Sequence, residues 1–173
     1  MSLISEKMSG TLDCLIGEFF EINRLLDRGM SVLAVKFKLT NTSNFVHQNL
    51  AHIYIGDKFA DAIGDYKILR DCDIIYPNTP IGDKDYDSPL SLFEELYSYN
   101  LRLEDSIKDA IDQAKEEGDL STKKFLNNIL KNLINYTAIS KTLIDIFKPC
   151  GDDMFKMIMV DANIKGLINS WFL

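Results

Sequence analysis

Apolar residues recur every three or four positions through most of the chain, which is the spacing of one face of an α-helix. The first such run extends from Gly10 to about Asn41 and ends in a cluster of Thr, Asn and Ser residues. A second run extends from Ser43 to about Arg70. At 1.5 Å per residue, each run predicts a helix of about 40 Å.

The helical pattern stops over residues 71–88, where Pro77, Pro80 and Gly82 oppose a regular helix. This connection has 18 residues and is too long for a tight antiparallel hairpin. Its length suits a chain that crosses from one end of a helical bundle to the other.

Two further long helices are predicted after this connection. Ser88–Pro89 has the residue types of an N-cap and a first helical position, and Gly118 is a C-terminal signal. Ser121 is the predicted cap of the next helix, which continues to about Lys148. A last apolar stretch, residues 154–173, predicts a shorter fifth helix.

The predicted fold is therefore all-α: an antiparallel four-helix bundle with a long crossover between the second and third helices and a short C-terminal fifth helix. We divide the chain into a flexible lead-in (1–9), the bundle (10–149) and the tail helix (150–173).

Composition narrows the functional classes. The 19 basic and 26 acidic side chains give a net charge of −7, whereas a nucleic-acid partner requires a basic patch. No apolar run approaches the roughly 18 residues of a membrane span, and the first ten residues carry Glu6 and Lys7 without a continuous apolar stretch. We therefore expect neither a membrane span nor a signal peptide. The three separated cysteines favour reduced thiols. We expect a cytoplasmic protein with no nucleic-acid or membrane partner.

Several segments, taken in their order and spacing, resemble the bacterial non-haem ferritins of the ferritin-like superfamily. They are residues 86–126, the crossover entry Ile74–Pro77, Leu12 with Glu18–Phe20 on the first helix, and Gly151–Asp153 with Asp161 before the tail helix. The resemblance covers most of residues 12–165. It implies a ferritin-like bundle, a homo-oligomeric shell of 24 subunits, and iron as the metal that is handled.

Ferritins oxidise Fe(II) at a di-iron centre whose carboxylate and His ligands come from all four helices. The resemblance places the first-helix Glu at Glu18. Counting back from the crossover without a gap places Gly56 and Phe59 at the second-helix Glu-x-x-His. A shift of about one turn places Asn49 and His52 there, which keeps only the histidine.

The remaining ligand positions fall on neutral residues. Asn100 occupies the third-helix Glu position, and Asn132 and Leu133 occupy the fourth-helix Glu and Gln positions. Such residues leave the charge of two irons uncompensated, so we expect a degenerate centre with weak or absent ferroxidase activity. Glu18 and His52 are the metal-ligand candidates. Each has a structural alternative, as a carboxylate at the core edge and as a hydrogen-bonded core histidine.

We expect Asn100 and Asn132 to face each other in a buried hydrogen-bonded network, because both interrupt apolar faces. Asp57, Asp61 and Asp65 form an acidic row on the second helix. The row is either a solvated face or part of a Dps-type site.

The miniature, DNA-protecting ferritins of the Dps type carry a His followed by Asp-x3-Glu on this helix. His47 with Asp61 and Asp65 is similar, but one residue is missing between His and Asp, and the first-helix His is absent. We expect His47 to lie on a different helix face from His52.

The resulting hypothesis is a ferritin-family subunit that stores or handles iron, alone or co-assembled with an active ferritin subunit. One alternative is a non-catalytic structural or binding protein that has kept the bundle without the metal. Another is a Dps-type mini-ferritin that protects against oxidative iron chemistry. Assembly predicts exposed apolar side chains on the tail, including Met157, Ile158, Trp171 and Phe172.

Overall fold

The computed structural model describes the backbone of residues 2–172 and the side chains of residues 2–169. The elements in chain order are α1 (Glu6–Val35), α2 (Thr40–Phe45), a π-helical segment (Val46–Ala60), α3 (Asp61–Leu69), α4 (Pro89–Glu116), α5 (Leu120–Phe147), a 3₁₀ turn (Lys148–Cys150) and α6 (Met154–Phe172). α2, the π-helical segment and α3 follow one another without a gap. We call them together the composite second helix (40–69).

Four long helices form the bundle, as the apolar periodicity predicts. α1 packs on the composite second helix and on α4, and α4 packs along α5. α6 lies across one end, against α2 and α5. None of the described helices is long and apolar enough to span a membrane.

The crossover (70–88) runs along α1 on its way to the start of α4. Gly17 permits a close approach, since a Cβ there would lie 2.4 Å from the Pro77 Cγ. Farther along α1, the Arg28 Nε donates to the Lys84 carbonyl at 2.8 Å, and the Lys36 Nζ donates to the Tyr86 carbonyl at 2.7 Å. The crossover therefore contacts α1 at several points along the length of that helix.

Local capping explains the helix starts. α1 begins at Glu6, four residues before the predicted start, because the Ser5 side chain accepts from the Met8 backbone N–H. The last part of the predicted flexible lead-in is therefore the first turn of α1. α4 begins at Pro89 as predicted, and Ser88 forms a capping box with Ser91.

A buried ion pair connects α1, α3 and the crossover. The Lys67 side chain is fully buried, and its Nζ contacts the carboxylate of Asp13, whose side chain is 12% exposed. Lys67 also donates to the Ser9 carbonyl at 3.3 Å, and Asp13 accepts from the Ile75 backbone N–H at 3.2 Å. Because such charges lose their hydration, each of these partners is needed to compensate the burial.

α6 supplies a cap that α2 lacks in its own sequence. The residue before α2 is Leu39, which has no side-chain oxygen to cap the helix. The Asp161 carboxylate of α6 accepts from the backbone N–H groups of Thr42, at 2.7 Å, and Asn41, at 3.3 Å. It also accepts from the Thr42 hydroxyl at 2.6 Å. The Asp161 carboxylate therefore holds α6 against α2 and caps the first turn of α2.

The prediction of an apolar outer face on the tail holds for some residues. Ile158 is 50% exposed, and its neighbours Phe155 and Met159 are also exposed. Met157 is instead buried, because it lies on the side of α6 that faces the bundle. The side chains of Trp171 and Phe172 lie outside the described residues.

We expect Lys67→Ala to lower the free energy of unfolding by about 3–5 kcal/mol, because Asp13 would keep a buried charge without its partner. Lys108→Ala is the matched control, since Lys108 pairs with Glu104 and Asp105 on the surface. Its loss should stay below about 1 kcal/mol. Urea denaturation at one fixed protein concentration measures both. Equal losses would show that the buried pair has no special role.

Candidate functional site

Aromatic rings occupy the interior between α1, the composite second helix and α5. We call Phe19, Tyr54, Phe59 and Tyr136 the aromatic cluster. Phe19 stacks on Phe59 with ring centroids 4.6 Å apart, and Tyr136 meets Phe59 edge-on at 5.8 Å. Tyr54 lies 5.1 Å from Tyr136. Phe59, at the position expected for the second-helix His, is therefore a packing residue.

The other expected ligand positions are also built into the packing. Leu133 is fully buried in the core, and Gly56 is half-buried on the π-helical segment. Asn100 is fully buried, and its Nδ2 donates to the Ser140 Oγ at 3.2 Å. These groups are neutral, so they add no charge to the interior.

The expected pairing of Asn100 with Asn132 is not what the structure shows. Asn100 bonds Ser140, whereas Asn132 is half-buried, and no hydrogen bond of its side chain is found within residues 2–169. The reason is distance along α5. Ser140 lies eight residues beyond Asn132, which is about 12 Å along the helix axis, so Asn100 cannot reach both.

Two buried polar atoms in the interior, the Asn100 Oδ1 and the Tyr136 hydroxyl oxygen, have no hydrogen-bond partner in the part of the chain that the structure describes. Burial raises the pKa of the Tyr136 phenol well above its usual value, and the nearby Tyr54 adds to this effect. The phenol therefore stays neutral at physiological pH. Among the described side chains, no group of three or more His, Cys, Asp or Glu residues converges as a metal site. The interior side chains do not fit two iron ions.

Glu18 lies in a groove between α1 and α4, with a cavity of about 240 Å³ that Tyr99, Arg102 and Ser106 also line. Burial raises the pKa of the Glu18 carboxyl. The Ser106 hydrogen bond lowers this pKa, Glu21 raises it and Arg102 lowers it. The guanidinium of Arg102 is held over the Tyr99 ring at 4.2 Å. The Glu18 carboxylate thus lies at the core edge beside side chains of α4, and its role as a metal ligand stays a prediction.

His52 is exposed, which corrects the expectation of a core histidine. Its Nε2 lies 3.2 Å from the Nε2 of His47, and the ring centroids are 4.5 Å apart at an interplanar angle of 83°. The expectation that the two lie on different faces is also wrong. In the π-helical segment the backbone bonds run from residue i to i+5, so residues five apart come together.

The histidine pair borders a cavity of about 200 Å³ between α1 and the π-helical segment. Asn23 and Asp27 of α1 line it, as does Asp61 at the start of α3. Glu18 belongs to the groove described above, so the two metal-ligand candidates do not share this cavity.

The acidic row is exposed along its length: Asp57, Asp61 and Asp65 are all solvent-accessible. This exposure fits the interpretation of a solvated helix face. Asp57 lies in the π-helical segment and the other two in α3, so the three do not follow one regular helical spacing.

Several residues of these sites have no clear signal in the sequence. Ser140, Arg102 and Ser106 become partners only when α4 lies against its neighbours. The H-x4-H spacing of the histidine pair is visible, but in an α-helix residues five apart point about 140° away from each other. Only the π-helical backbone makes them neighbours.

Comparison with known proteins points to one family. The family model described as a ferritin-like domain matches residues 37–148. A humanized archaeal ferritin superposes with a TM-score of 0.84 at 22% identity, covering 95% of this chain and 97% of that chain. No curated protein sequence matches.

Two further structures concern the archaeon Archaeoglobus fulgidus. An engineered closed form of its ferritin gives a TM-score of 0.84 at 21% identity, with 95% of this chain and 96% of that chain covered. A novel open-pore ferritin from this hyperthermophile gives 0.82 at 21% identity, with 95% and 98% covered. The predicted ferritin-like four-helix bundle with its short fifth helix is confirmed.

We expect Asn100→Ala to lower the free energy of unfolding by about 1–3 kcal/mol, since it removes a buried hydrogen bond and leaves a void. Asn132→Ala, the matched control, should change it by less than about 0.5 kcal/mol, because that side chain is half-buried and makes no described hydrogen bond. Urea denaturation distinguishes the two. A large and equal effect of both would contradict a special role for the bond between Asn100 and Ser140.

The pKa of Glu18 predicts a pH effect on stability. Its folded-state pKa is raised above 4.5, so protonation favours the folded state, and this contribution is lost as the pH rises through the folded pKa. Glu18→Gln should therefore melt above the wild type at pH 7, and the difference should vanish below pH 4.5.

Glu117→Gln is the control of opposite sign. Hydrogen bonds from Ser5 and Gln113 hold the pKa of Glu117 below 4.5, so its contribution is present at neutral pH and is lost on acidification. This variant should melt below the wild type at pH 7 and converge with it in acid. Thermal melts between pH 3 and pH 7 measure both, and the same sign for both variants would refute the assignment.

Proposed function

Because the chain belongs to the ferritin-like domain family, we propose that it is a subunit of an iron-storing or iron-handling shell with a degenerate ferroxidase centre. The fold supports the family half of this proposal, since the bundle matches ferritins along 95% of the chain. Iron would be cargo or substrate in such a shell, and the protein would act in the cytoplasm.

The aromatic cluster is the observation that supports a degenerate ferroxidase centre. Stacked Phe19 and Phe59, with Tyr136 against them, fill the interior with apolar surface and one neutral hydroxyl. Two irons bring at least four positive charges, which neutral rings cannot offset in a low-dielectric core. Weak or absent ferroxidase activity follows from this composition.

Assembly is supported by the outer face of α6. Phe155 is 72% exposed, and Ile158 and Met159 are each about half-exposed on the same helix. Apolar surface of this kind is typical of a protein interface. We propose that it contacts other subunits of the shell, either copies of this chain or an active ferritin subunit that supplies the oxidation step.

The same aromatic packing also favours the second candidate, a structural or binding protein that has kept the bundle without handling metal. Nothing in the site favours a Dps-type function, because Asp61 and Asp65 are exposed and His47 pairs with His52. The net charge of −7 also opposes DNA binding.

The proposal predicts a large oligomer that oxidises Fe(II) little faster than buffer and yet retains iron. Analytical ultracentrifugation measures the assembly, and stopped-flow absorbance followed by iron analysis of the desalted protein measures the rest. A monomer at micromolar concentration would refute the shell, and rapid saturable oxidation of two irons per subunit would refute the degenerate centre. An oligomer that retains no iron would establish the structural alternative.

A further inference from the structure

The histidine pair lies outside the bundle interior and has no role in the function proposed above. His47 and His52 are the chain's 2 histidines, so the structure brings all of its imidazole groups to one place. The π-helical backbone brings the two rings together, and both can be reached from solution, since His52 is exposed and His47 is half-buried. The pair is therefore open to a ligand.

The distance between the two nitrogens suits a shared metal ion. Imidazole nitrogen binds Zn(II) at about 2.0–2.1 Å, and two such bonds at an angle of about 100° hold their nitrogens about 3.2 Å apart. The observed separation of the two Nε2 atoms is 3.2 Å. The same separation is also within hydrogen-bond distance, and the tautomers of the two rings decide which nitrogen donates.

The polar contacts of the His47 ring leave it available for such a role. Its Nδ1 is buried and has no hydrogen-bond partner among residues 2–169, so its Nε2 contact with His52 is the one polar contact described for the ring. A metal bond at Nε2 would add a strong interaction to a ring for which one polar contact is described. The missing partner at Nδ1 also predicts a site of moderate affinity, since histidine ligands usually donate through that nitrogen.

The cavity beside the pair has the charge and volume for a hydrated cation. It measures about 200 Å³, and its charged lining residues are the acidic Asp27 and Asp61. Asp27 is partly engaged by Asn23 at 3.4 Å and by Arg24 at 3.5 Å. No third protein ligand joins the pair among residues 2–169, so water would complete the coordination sphere.

From this geometry we infer that His47 and His52 chelate one late first-row divalent cation per chain on the π-helical segment. Two imidazoles form a nitrogen site, for which affinity rises along the series Fe(II), Co(II), Ni(II), Cu(II) and falls again at Zn(II). Cu(II) should therefore bind most tightly, and Fe(II) more weakly than Ni(II) or Zn(II). The inference is independent of iron storage.

The test is a titration with Cu(II) buffered by glycine, followed by electron paramagnetic resonance of the loaded protein. The wild type should bind one Cu(II) per chain with hyperfine splitting from two imidazole nitrogens. His47→Ala and His52→Ala should each bind at least tenfold more weakly and show at most one nitrogen. Circular dichroism checks that each variant is folded.

Two control variants test whether copper binding depends on the spacing of the two histidines. Gln48→Ala changes an exposed residue of the same segment and should bind as the wild type does. The double variant His52→Ala/Ile53→His keeps 2 histidines but moves one to the adjacent exposed position, which should abolish chelation. If either single His variant, or this double variant, keeps wild-type affinity, the copper is bound elsewhere on the chain and the inference is wrong.

Discussion

The buried ion pair between Asp13 and Lys67 is the contact on which the arrangement of the first half of the chain depends. It fixes α1 against α3, and the Ile75 N–H bond to the same carboxylate fixes where the crossover departs. The backbone of Lys67 is engaged as well, since its carbonyl accepts from the Cys72 N–H at 2.9 Å and closes the end of α3. Because the charges are hidden from water, a shifted register would leave both uncompensated.

The architecture could be predicted from the sequence because each of its signals is local. Helical periodicity, the Ser88–Pro89 start and the prolines of the crossover each act through the nearest few residues. The ion pair could not be predicted in this way. Asp13 and Lys67 are 54 residues apart, and nothing in either neighbourhood shows that the two will meet. The positions of the helices can thus be predicted from one sequence, whereas the pairing of polar residues between helices is known only from the structure.

The site shows the same limit within a single helix. An α-helical reading places His52 in the core beside Phe59 and separates it from His47, because it assumes 3.6 residues per turn. The i→i+5 bonds of the π-helical segment change which residues share a face, so that Phe59 packs inside while His52 turns outward to His47. Apolar periodicity likewise predicts the same buried environment for Asn100 and Asn132. In the structure Asn100 donates to Ser140, whereas no hydrogen bond of the Asn132 side chain is described. The expectations that proved wrong are those that depended on which residues share a helix face and which residues of neighbouring helices meet.

The cap that Asp161 provides for α2 also constrains the order in which the chain folds. It joins residues 119 positions apart, whereas α4 and α5 are connected by a turn of a few residues and can pair early. Closing the longer loop costs more entropy, so we expect α6 to dock after α4 and α5 have paired. During synthesis the ribosome releases residue 161 long after Thr42 has emerged. Until then the Asn41 and Thr42 amides lack the carboxylate that caps them in the folded chain, so we expect the second helix of the bundle to reach its full stability late.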